Sequence, residues 1–192
     1  MHLLRTKPTG ALVAGLAVAG ALACTAAEAN GATTRPEFVA QSEALCKTTN
    51  DAISARSHRL FRKYKRLRPK GRFSQFTKAQ RRRDDALFYG GYGRVLAFRG
   101  RAVHALDRQL QLVPEPPDDA PLIAQWIESR RVDAELIKDA GQQVVRVSRH
   151  KPRHISRLLF QISSIDDQLG FTDLMVGGYG FDQCFLTPEG SF

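Results

Sequence analysis

The apolar residues of this chain recur at helical rather than strand spacing. Over residues 36–67, one face follows the i, i+3, i+4, i+7 rule of a 3.6-residue repeat. That face carries Phe38, Ser42, Leu45, Thr49, Ala52, Ile53 and Leu60. Pro36 and Glu37 both suit a first helical turn. Pro69 and Gly71 then break the pattern, so we predict a long first helix over 36–67.

Three further amphipathic segments follow, at residues 84–113, at 118–150 and from 152 onward. Glycines weaken the second segment by about 1 kcal/mol each relative to alanine, which predicts either a kink or a close helix contact. They are Gly90, Gly91, Gly93 and Gly100. Asp118 or Asp119 is a good N-cap for the third segment. We therefore predict three more helices.

The fourth helix has an apolar face made of Ile155, Leu158, Leu159, Ile162, Ile165 and Leu169. We extend this helix through Val176. Because the connections after the second and third helices are short and no strand alternation occurs, we predict an all-α, antiparallel helical bundle of about four helices. The bundle would span 36–184, after a polar tether at 30–35 and before a frayed tail at 185–192.

Residues 1–29 have the pattern of a secretory signal peptide. Arg5 and Lys7 give a positive start, an apolar stretch follows, and residues 27–29 (Ala-Glu-Ala) match a signal-peptidase site. We predict cleavage and a secreted or cell-envelope protein. Two alternatives stay open. One is a lipoprotein attached at Cys24, where the preceding residues resemble a lipobox, and the other is an uncleaved anchor, which would need about 20 apolar residues.

The cysteine count changes with export. Cleavage after Ala29 would remove Cys24 and leave Cys46 and Cys184, an even pair in an oxidising compartment. We predict one long-range disulfide between these two residues, joining the first helix to the end of the fourth. By the chain-entropy account, a bridge that closes a loop on the order of 100 residues stabilises a protein by about 4–5 kcal/mol. The alternative, a reactive or metal-binding thiol, has neither a C-x-x-C pattern nor a nearby histidine here.

The positive charge of the chain, +10 overall, is concentrated in one stretch. Thirteen basic residues lie between positions 56 and 83 with no acidic residue among them. They are Arg56, Arg59, Arg62, Lys63, Lys65, Arg66, Arg68, Lys70, Arg72, Lys78, Arg81, Arg82 and Arg83. We call residues 56–83 the basic segment. The rest of the mature chain carries 14 basic and 18 acidic residues, so the basic segment is a local patch on a mildly acidic body.

The basic segment predicts electrostatic contact with a polyanion. Four aromatic residues interleave its charges: Phe61, Tyr64, Phe73 and Phe76. Such residues stack on bases or enter a lipid interface. An exported protein lies beside anionic lipid headgroups and wall polymer, so we expect a surface of this kind as the partner. No nucleic-acid-binding module is present, and we do not expect sequence-specific nucleic-acid binding. The alternative is a solvated helix extension whose charges serve solubility.

Residue patterns that would indicate catalysis or metal binding are sparse. His150 and His154 have the i, i+4 spacing of a metal-binding pair, but Pro152 lies between them at a predicted helix boundary. Asp166 and Arg130 fall on the apolar faces of the fourth and third helices, where we expect an internal salt bridge. No G-x-S-x-G, phosphate loop or dinucleotide fingerprint occurs. We expect no cofactor and no metal, and enzyme activity stays undecided.

Three short motifs carry a resemblance to known proteins. They are the Cys-x-x-x-Asn of residues 46–50, the Pro-Pro-Asp-Asp of 116–119 and the Gly-Phe-Asp-Gln-Cys of 180–184. Together they resemble a large group of secreted or lipid-anchored two-cysteine helical proteins of high-GC bacteria, for which no activity is established. The basic segment and the residues after Cys184 depart from that pattern. The resemblance implies an extracytoplasmic helical fold with a disulfide, and it implies no activity.

We interpret the chain as an extracytoplasmic helical binding or structural module whose basic segment contacts an anionic envelope surface, either lipid headgroups or wall polymer. Two alternatives of different classes stay open. The first is a hydrolytic enzyme whose residues are scattered through the fold. The second is a protein–protein adaptor that uses the face around Trp126, a residue we otherwise expect in the core. The sequence identifies no protein partner.

Overall fold

The structure is a computed structural model, and it describes residues 32–150, 155, 157–160, 162–164, 172 and 175–184. Its α-helices are α1 (Arg35–Leu67), α2 (Lys78–Leu110) and α3 (Ala120–His150), with a short 3-10 turn at Phe73–Gln75. Residues 155, 157–160, 162–164 and 172 are also helical, and no β-strand occurs in the described part of the chain. The predicted all-α bundle of about four helices is therefore confirmed.

Several predictions fall on residues outside those ranges. They concern the signal segment 1–29 with Cys24, residues 30 and 31 of the tether, His154, Asp166, and the tail 185–192.

Helices α1 and α2 begin at local capping signals, and two of the predicted helix limits differ from the structure. α1 begins at Arg35, where a capping box joins Thr34 to Glu37, close to the predicted start. α2 begins at Lys78 and not at residue 84, because Thr77 caps it and Gln80 completes a capping box. The predicted extension of the fourth helix through Val176 is also wrong, since residues 175–180 form turns.

Helices α2 and α3 approach each other closely at glycines. A Cβ atom at Gly100 would lie 2.4 Å from the carbonyl oxygen of Ala134, and one at Gly141 would lie 2.4 Å from the amide nitrogen of Ala97. Gly93 is equally tight, because its Cβ would lie 2.6 Å from the carbonyl oxygen of Gly141. The predicted close helix contact therefore holds for Gly93 and Gly100, and α2 packs far more extensively on α3 than on α1.

The core lies mainly where α1 begins, α2 ends and α3 begins. Trp126 has no exposed surface and stacks on Phe181, with 5.1 Å between the ring centroids. The predicted apolar face of α1 is buried only in its N-terminal half, at Phe38, Ser42 and Cys46. Ala52, which the pattern placed on the same face, is exposed. Farther along, α1 therefore lies at the surface of the bundle.

Residues 175–184, which we call the C-terminal segment, cross the ends of the helices and are held at several points. The predicted disulfide joins Cys46 to Cys184, with 4.9 Å between the Cα atoms and 138 positions between them in sequence. The Glu43 carboxylate accepts hydrogen bonds from the amides of Asp182 and Gln183. The Asn50 side chain donates to the Gln183 carbonyl oxygen at 2.6 Å. The Cys-x-x-x-Asn motif thus meets the residues that precede the second cysteine, which gives both motifs a structural role.

The start of α3 is fastened by one acidic side chain. Asp119 accepts hydrogen bonds from the Arg35 guanidinium at 2.9 and 3.0 Å and from the Tyr179 hydroxyl at 2.6 Å. Arg35 also lies over the Tyr179 ring, 4.6 Å from its centroid. These bonds, the one from Arg35 foremost, hold the pKa of Asp119 below its usual value. Burial and the neighbouring Asp119 carboxylate raise the pKa of Tyr179 to about 12.

The glycine contacts predict opposite effects of the same substitution at two positions. We expect Gly141→Ala to lower the free energy of unfolding by about 1–3 kcal/mol, because the new methyl group would meet the α2 backbone. Gly91→Ala is the control, since nothing lies within 4 Å of its Cβ position, and we expect it to be neutral or to stabilise by up to about 1 kcal/mol. Urea unfolding measures both, and equal stability of the two variants would contradict the close contact.

The Asp119 contacts predict an acid-dependent loss of stability. A carboxylate with a lowered folded-state pKa stabilises the fold above its unfolded value of 3.8, and this contribution is lost as the pH falls through the folded pKa. Asp119→Asn should therefore be less stable than the wild type at neutral pH, and the difference should shrink below pH 3.8. Thermal unfolding across acidic pH measures this. Asp118→Asn removes the neighbouring exposed carboxylate and should follow the wild-type profile; a constant difference for Asp119→Asn would contradict the expectation.

Candidate anionic-surface interface

The basic segment folds back on itself at one end of the α1–α2 hairpin. Six of its thirteen basic residues lie on the last turns of α1, three in the connection and four on the first turns of α2. Tyr64 and Phe88 join the two helices there, with 5.4 Å between the ring centroids. The connection therefore brings charges that are up to 27 positions apart in sequence onto neighbouring elements of one surface.

Most of these charges face solvent. Eleven of the thirteen side chains are exposed, while Arg56 and Arg68 are partly buried. The Arg68 guanidinium lies 3.8 Å from the buried Asp84 carboxylate and over the Tyr64 ring. Arg56 lies in a groove between the helices. Of the basic segment, only Arg68 forms an ion pair with an acidic residue in the described part of the chain, and the surface keeps a strongly positive potential.

Arg81 has a structural task within this surface. Its guanidinium donates hydrogen bonds to the carbonyl oxygens of Phe76 and Ser74, at 3.1 and 3.3 Å. It also lies over the Phe73 ring, 5.7 Å from the centroid. These contacts fix the connection between α1 and α2. Arg81 is therefore better understood as a residue that shapes the interface than as a free contact to a partner.

The charges at the start of α2 oppose a general preference of helices. Cations suit the negative C-terminal end of a helix, as Lys65 and Arg66 do in the last turn of α1. The first turn of α2 contains Lys78 and no acidic residue, and Arg82 and Arg83 follow within the next turn. Placing cations at the positive end of a helix is mildly unfavourable. Departures of this kind from local rules concentrate at functional surfaces.

The aromatic residues of the segment divide into two groups. Phe76 is buried and Tyr64 is partly buried, so both cover the bundle. This is what we expected of these side chains if the basic segment were only a solvated helix extension. Phe61 and Phe73 instead keep 39% and 52% of their surface exposed, and Leu67 keeps 42%. We did not predict Leu67 as part of this surface, because it is the last residue of α1 and the helical pattern does not continue beyond it. The end of the hairpin thus presents apolar side chains among cations.

The histidines give no support to a metal site. His58 is exposed and His104 is partly buried, on different helices. The side chain of His150 lies outside what the structure describes, as does His154. Within the described residues, no group of three or more histidine, cysteine or acidic side chains is arranged to hold a metal ion.

Arg130 pairs with a carboxylate of α2 and with the C-terminal segment. It has no exposed surface, and its Nε donates to the Asp107 carboxylate at 2.9 Å, while Nη1 donates to the Cys184 carbonyl oxygen at 2.6 Å. Asp166, the partner predicted from the sequence, lies outside the described residues. Burial raises the pKa of the Asp107 carboxyl, and Arg130 acts in the opposite direction. The contacts make this pair a junction between α2, α3 and the C-terminal segment.

Asp133 is a second buried carboxylate that makes a structural contact. The Asp133 carboxylate accepts a hydrogen bond from the Thr172 hydroxyl at 2.8 Å, and burial raises its pKa. Neither Asp107 nor Asp133 lines the described groove that contains Arg56 or the described apolar cleft beside Phe61. Both carboxylates therefore serve packing contacts. Burial also raises the pKa of Asp85, beside Asp84 near the start of α2.

No protein-family model, curated protein or solved structure matches this chain. The resemblance to two-cysteine secreted proteins therefore stays a prediction. In the described part of the chain, no helix combines the length and apolar character needed to cross a membrane.

The buried pair predicts a large cost for removing one partner alone. We expect Asp107→Asn to lower the free energy of unfolding by about 3–5 kcal/mol, because it leaves the Arg130 charge buried without compensation. The double variant D107L/R130M removes both charges and should be more stable than Asp107→Asn, although it leaves the Cys184 carbonyl unpaired. Urea unfolding measures both, and a double variant no more stable than the single one would contradict the account.

Proposed function

We propose that the protein is an extracytoplasmic helical binding module that attaches through the basic segment to an anionic envelope surface, with lipid headgroups or wall polymer as the partner. The observation that carries this proposal is the end of the α1–α2 hairpin, where exposed cations surround the exposed side chains of Phe61, Leu67 and Phe73. Cations supply long-range attraction to phosphates, and apolar side chains add short-range burial at an interface.

The compartment is part of the proposal. A disulfide that joins distant parts of a chain persists in oxidising surroundings, which supports export and the predicted signal peptide. Outside the cytoplasm, membrane headgroups and wall polymers are the abundant polyanions. A phosphate-bearing surface is therefore a better match to the basic segment than a nucleic acid.

Fewer structural features support the alternative of a protein–protein adaptor. Trp126 is completely buried between its neighbours and offers no surface to a partner. An adaptor surface near it would have to use exposed residues of α3 such as Val132 and Leu136, which keep 49% and 42% of their surface exposed. The neighbouring cations Arg131 and Lys138 form ion pairs with Glu128 and Glu135, whereas most cations at the hairpin end have no such partner among the described residues, so the basic segment is the stronger candidate.

The proposal predicts salt-sensitive binding that depends on three exposed arginines. We expect R66Q/R82Q/R83Q to bind vesicles containing phosphatidylglycerol about a hundredfold more weakly, because each cation near such a surface contributes about 1 kcal/mol. Wild-type binding should weaken steeply as salt shortens the Debye length from about 10 Å to 3 Å. Co-sedimentation with vesicles, and with purified wall material in a parallel series, measures both effects. Arg81 stays unchanged because it shapes the connection.

A matched control separates local charge from net charge. K47Q/R108Q/R131Q removes the same number of exposed cations from places outside the basic segment, and it should bind nearly as well as the wild type.

F61S/F73S should mainly reduce the binding that persists at high salt, since it keeps every charge. The proposal would be refuted if R66Q/R82Q/R83Q and K47Q/R108Q/R131Q lost equal affinity. It would also be refuted if salt changed binding neither to vesicles nor to wall material.

A further inference from the structure

A groove of about 500 Å³ opens between the middle of the three long helices, and arginines line it. Arg56 comes from α1, Arg94 and Arg101 from α2, and Arg146 from α3. Arg94 and Arg101 are seven positions apart and so share one face of their helix. The remaining lining residues are Ala97, Gln142 and Val145. None of these described lining residues is acidic.

The arginines of the groove lack compensating charge. Within the described residues, no carboxylate forms an ion pair with Arg56, Arg94, Arg101 or Arg146. The Nε atom of Arg56 is buried and has no hydrogen-bond partner in the structure. Leaving a buried charged donor unsatisfied is costly, so a ligand that accepts from it would gain more than one bound to a solvated arginine.

The repulsion between these groups is visible at Arg94. Burial lowers the pKa of its guanidinium, and the positive charges of Arg149 and Arg56 lower it further. Arg94 therefore sits where positive charges add. An anion placed there would relieve the repulsion from α1 and α3 at once. Natural proteins keep an unfavourable grouping of like charges mainly at functional sites.

We propose that this groove binds a multiply charged phosphate-type anion. Guanidinium groups donate in a planar fork that matches the oxygens of a phosphate, and groups from three helices can hold more than one phosphate together. Gln142 adds an amide donor at the rim. A volume of about 500 Å³ is within the usual range for small-molecule sites and exceeds what one phosphate fills. The class of ligand is thus an oligophosphate or a compound carrying several phosphate groups.

The groove is separate from the proposed envelope contact. Arg94, Arg101 and Arg146 lie outside the basic segment, and Arg56 is the one described residue common to both. The charges at the hairpin end are exposed and suit an extended surface, whereas the groove combines the partly buried Arg56 and Arg94 with the exposed Arg101 and Arg146 and suits a discrete ligand. Either proposal can therefore fail without the other.

Inorganic tripolyphosphate is the probe for this site. Isothermal titration of the full mature protein should show one tripolyphosphate bound per chain and much weaker binding of single phosphate. R101Q/R146Q changes two exposed side chains and should fold normally. It should bind tripolyphosphate about tenfold to a hundredfold more weakly, as expected from losing charge-assisted hydrogen bonds. Thermal unfolding of the wild type should shift upward with tripolyphosphate but not with sodium chloride of equal ionic strength.

The control is R82Q/R83Q, which removes two exposed charges from the basic segment. It should change tripolyphosphate affinity by no more than about threefold. Arg83 lies eleven positions before Arg94 on α2, which is about 16 Å along the helix, and salt screens exposed charges over such a separation. A second arm with vesicles that contain cardiolipin, a lipid whose headgroup carries two phosphates, distinguishes the source of the phosphate. Weaker vesicle binding by R101Q/R146Q would assign the site to a lipid headgroup, and unchanged vesicle binding would assign it to a soluble compound. Equal tripolyphosphate losses in both variants, or no tripolyphosphate binding by the wild type, would overturn the proposal.

Discussion

The buried guanidinium of Arg130 is the interaction on which the arrangement of the bundle depends. A charged group without exposed surface needs acceptors for its donors, and Arg130 finds the Asp107 carboxylate on α2 for Nε and the Cys184 carbonyl oxygen for Nη1, while its Nη2 has no hydrogen-bond partner in the structure. The same guanidinium lies over the Trp126 ring, 4.8 Å from its centroid. One side chain of α3 therefore fixes its register against α2 and also determines where the chain crosses the core to reach the disulfide.

That junction divides the molecule into two parts with different physical characters. Around Arg130, the disulfide, the Asp119 contacts and the stacked rings of the C-terminal segment tie four parts of the chain together. A bridge closing a loop of this length contributes about 5 kcal/mol by the chain-entropy account. The opposite end is held by the α1–α2 hairpin, which packs less extensively. A strongly fastened end allows the other end to carry repelling charges without loss of the fold.

The sequence predicted those features that depend on local or countable signals. The limits of α1 follow from Pro36, Glu37 and the break after the helix, and the disulfide was predicted from the two cysteines that the expected removal of Cys24 would leave. The start of α2 was missed because the basic residues around Thr77 obscured its capping box. The partner of Arg130 could not be predicted, because pairing between helices depends on their register, and the sequence alone does not give the register of α2 against α3. Arg56 was predicted only as part of the basic segment, and its grouping with Arg94, Arg101 and Arg146 was missed for the same reason.

The two positive surfaces differ in a way that a count of charges does not reveal. At the hairpin end, the cations are solvated, and their attraction for an anion is long-ranged and weakened by salt. In the groove, Arg56 and Arg94 are partly withdrawn from water, so an anion bound there interacts through a lower effective dielectric and resists screening. Net charge alone would treat both as one basic property. The packing of α1, α2 and α3 separates them, because it leaves a broad exposed positive surface at one end and brings the partly buried Arg56 and Arg94 into one groove between the helices.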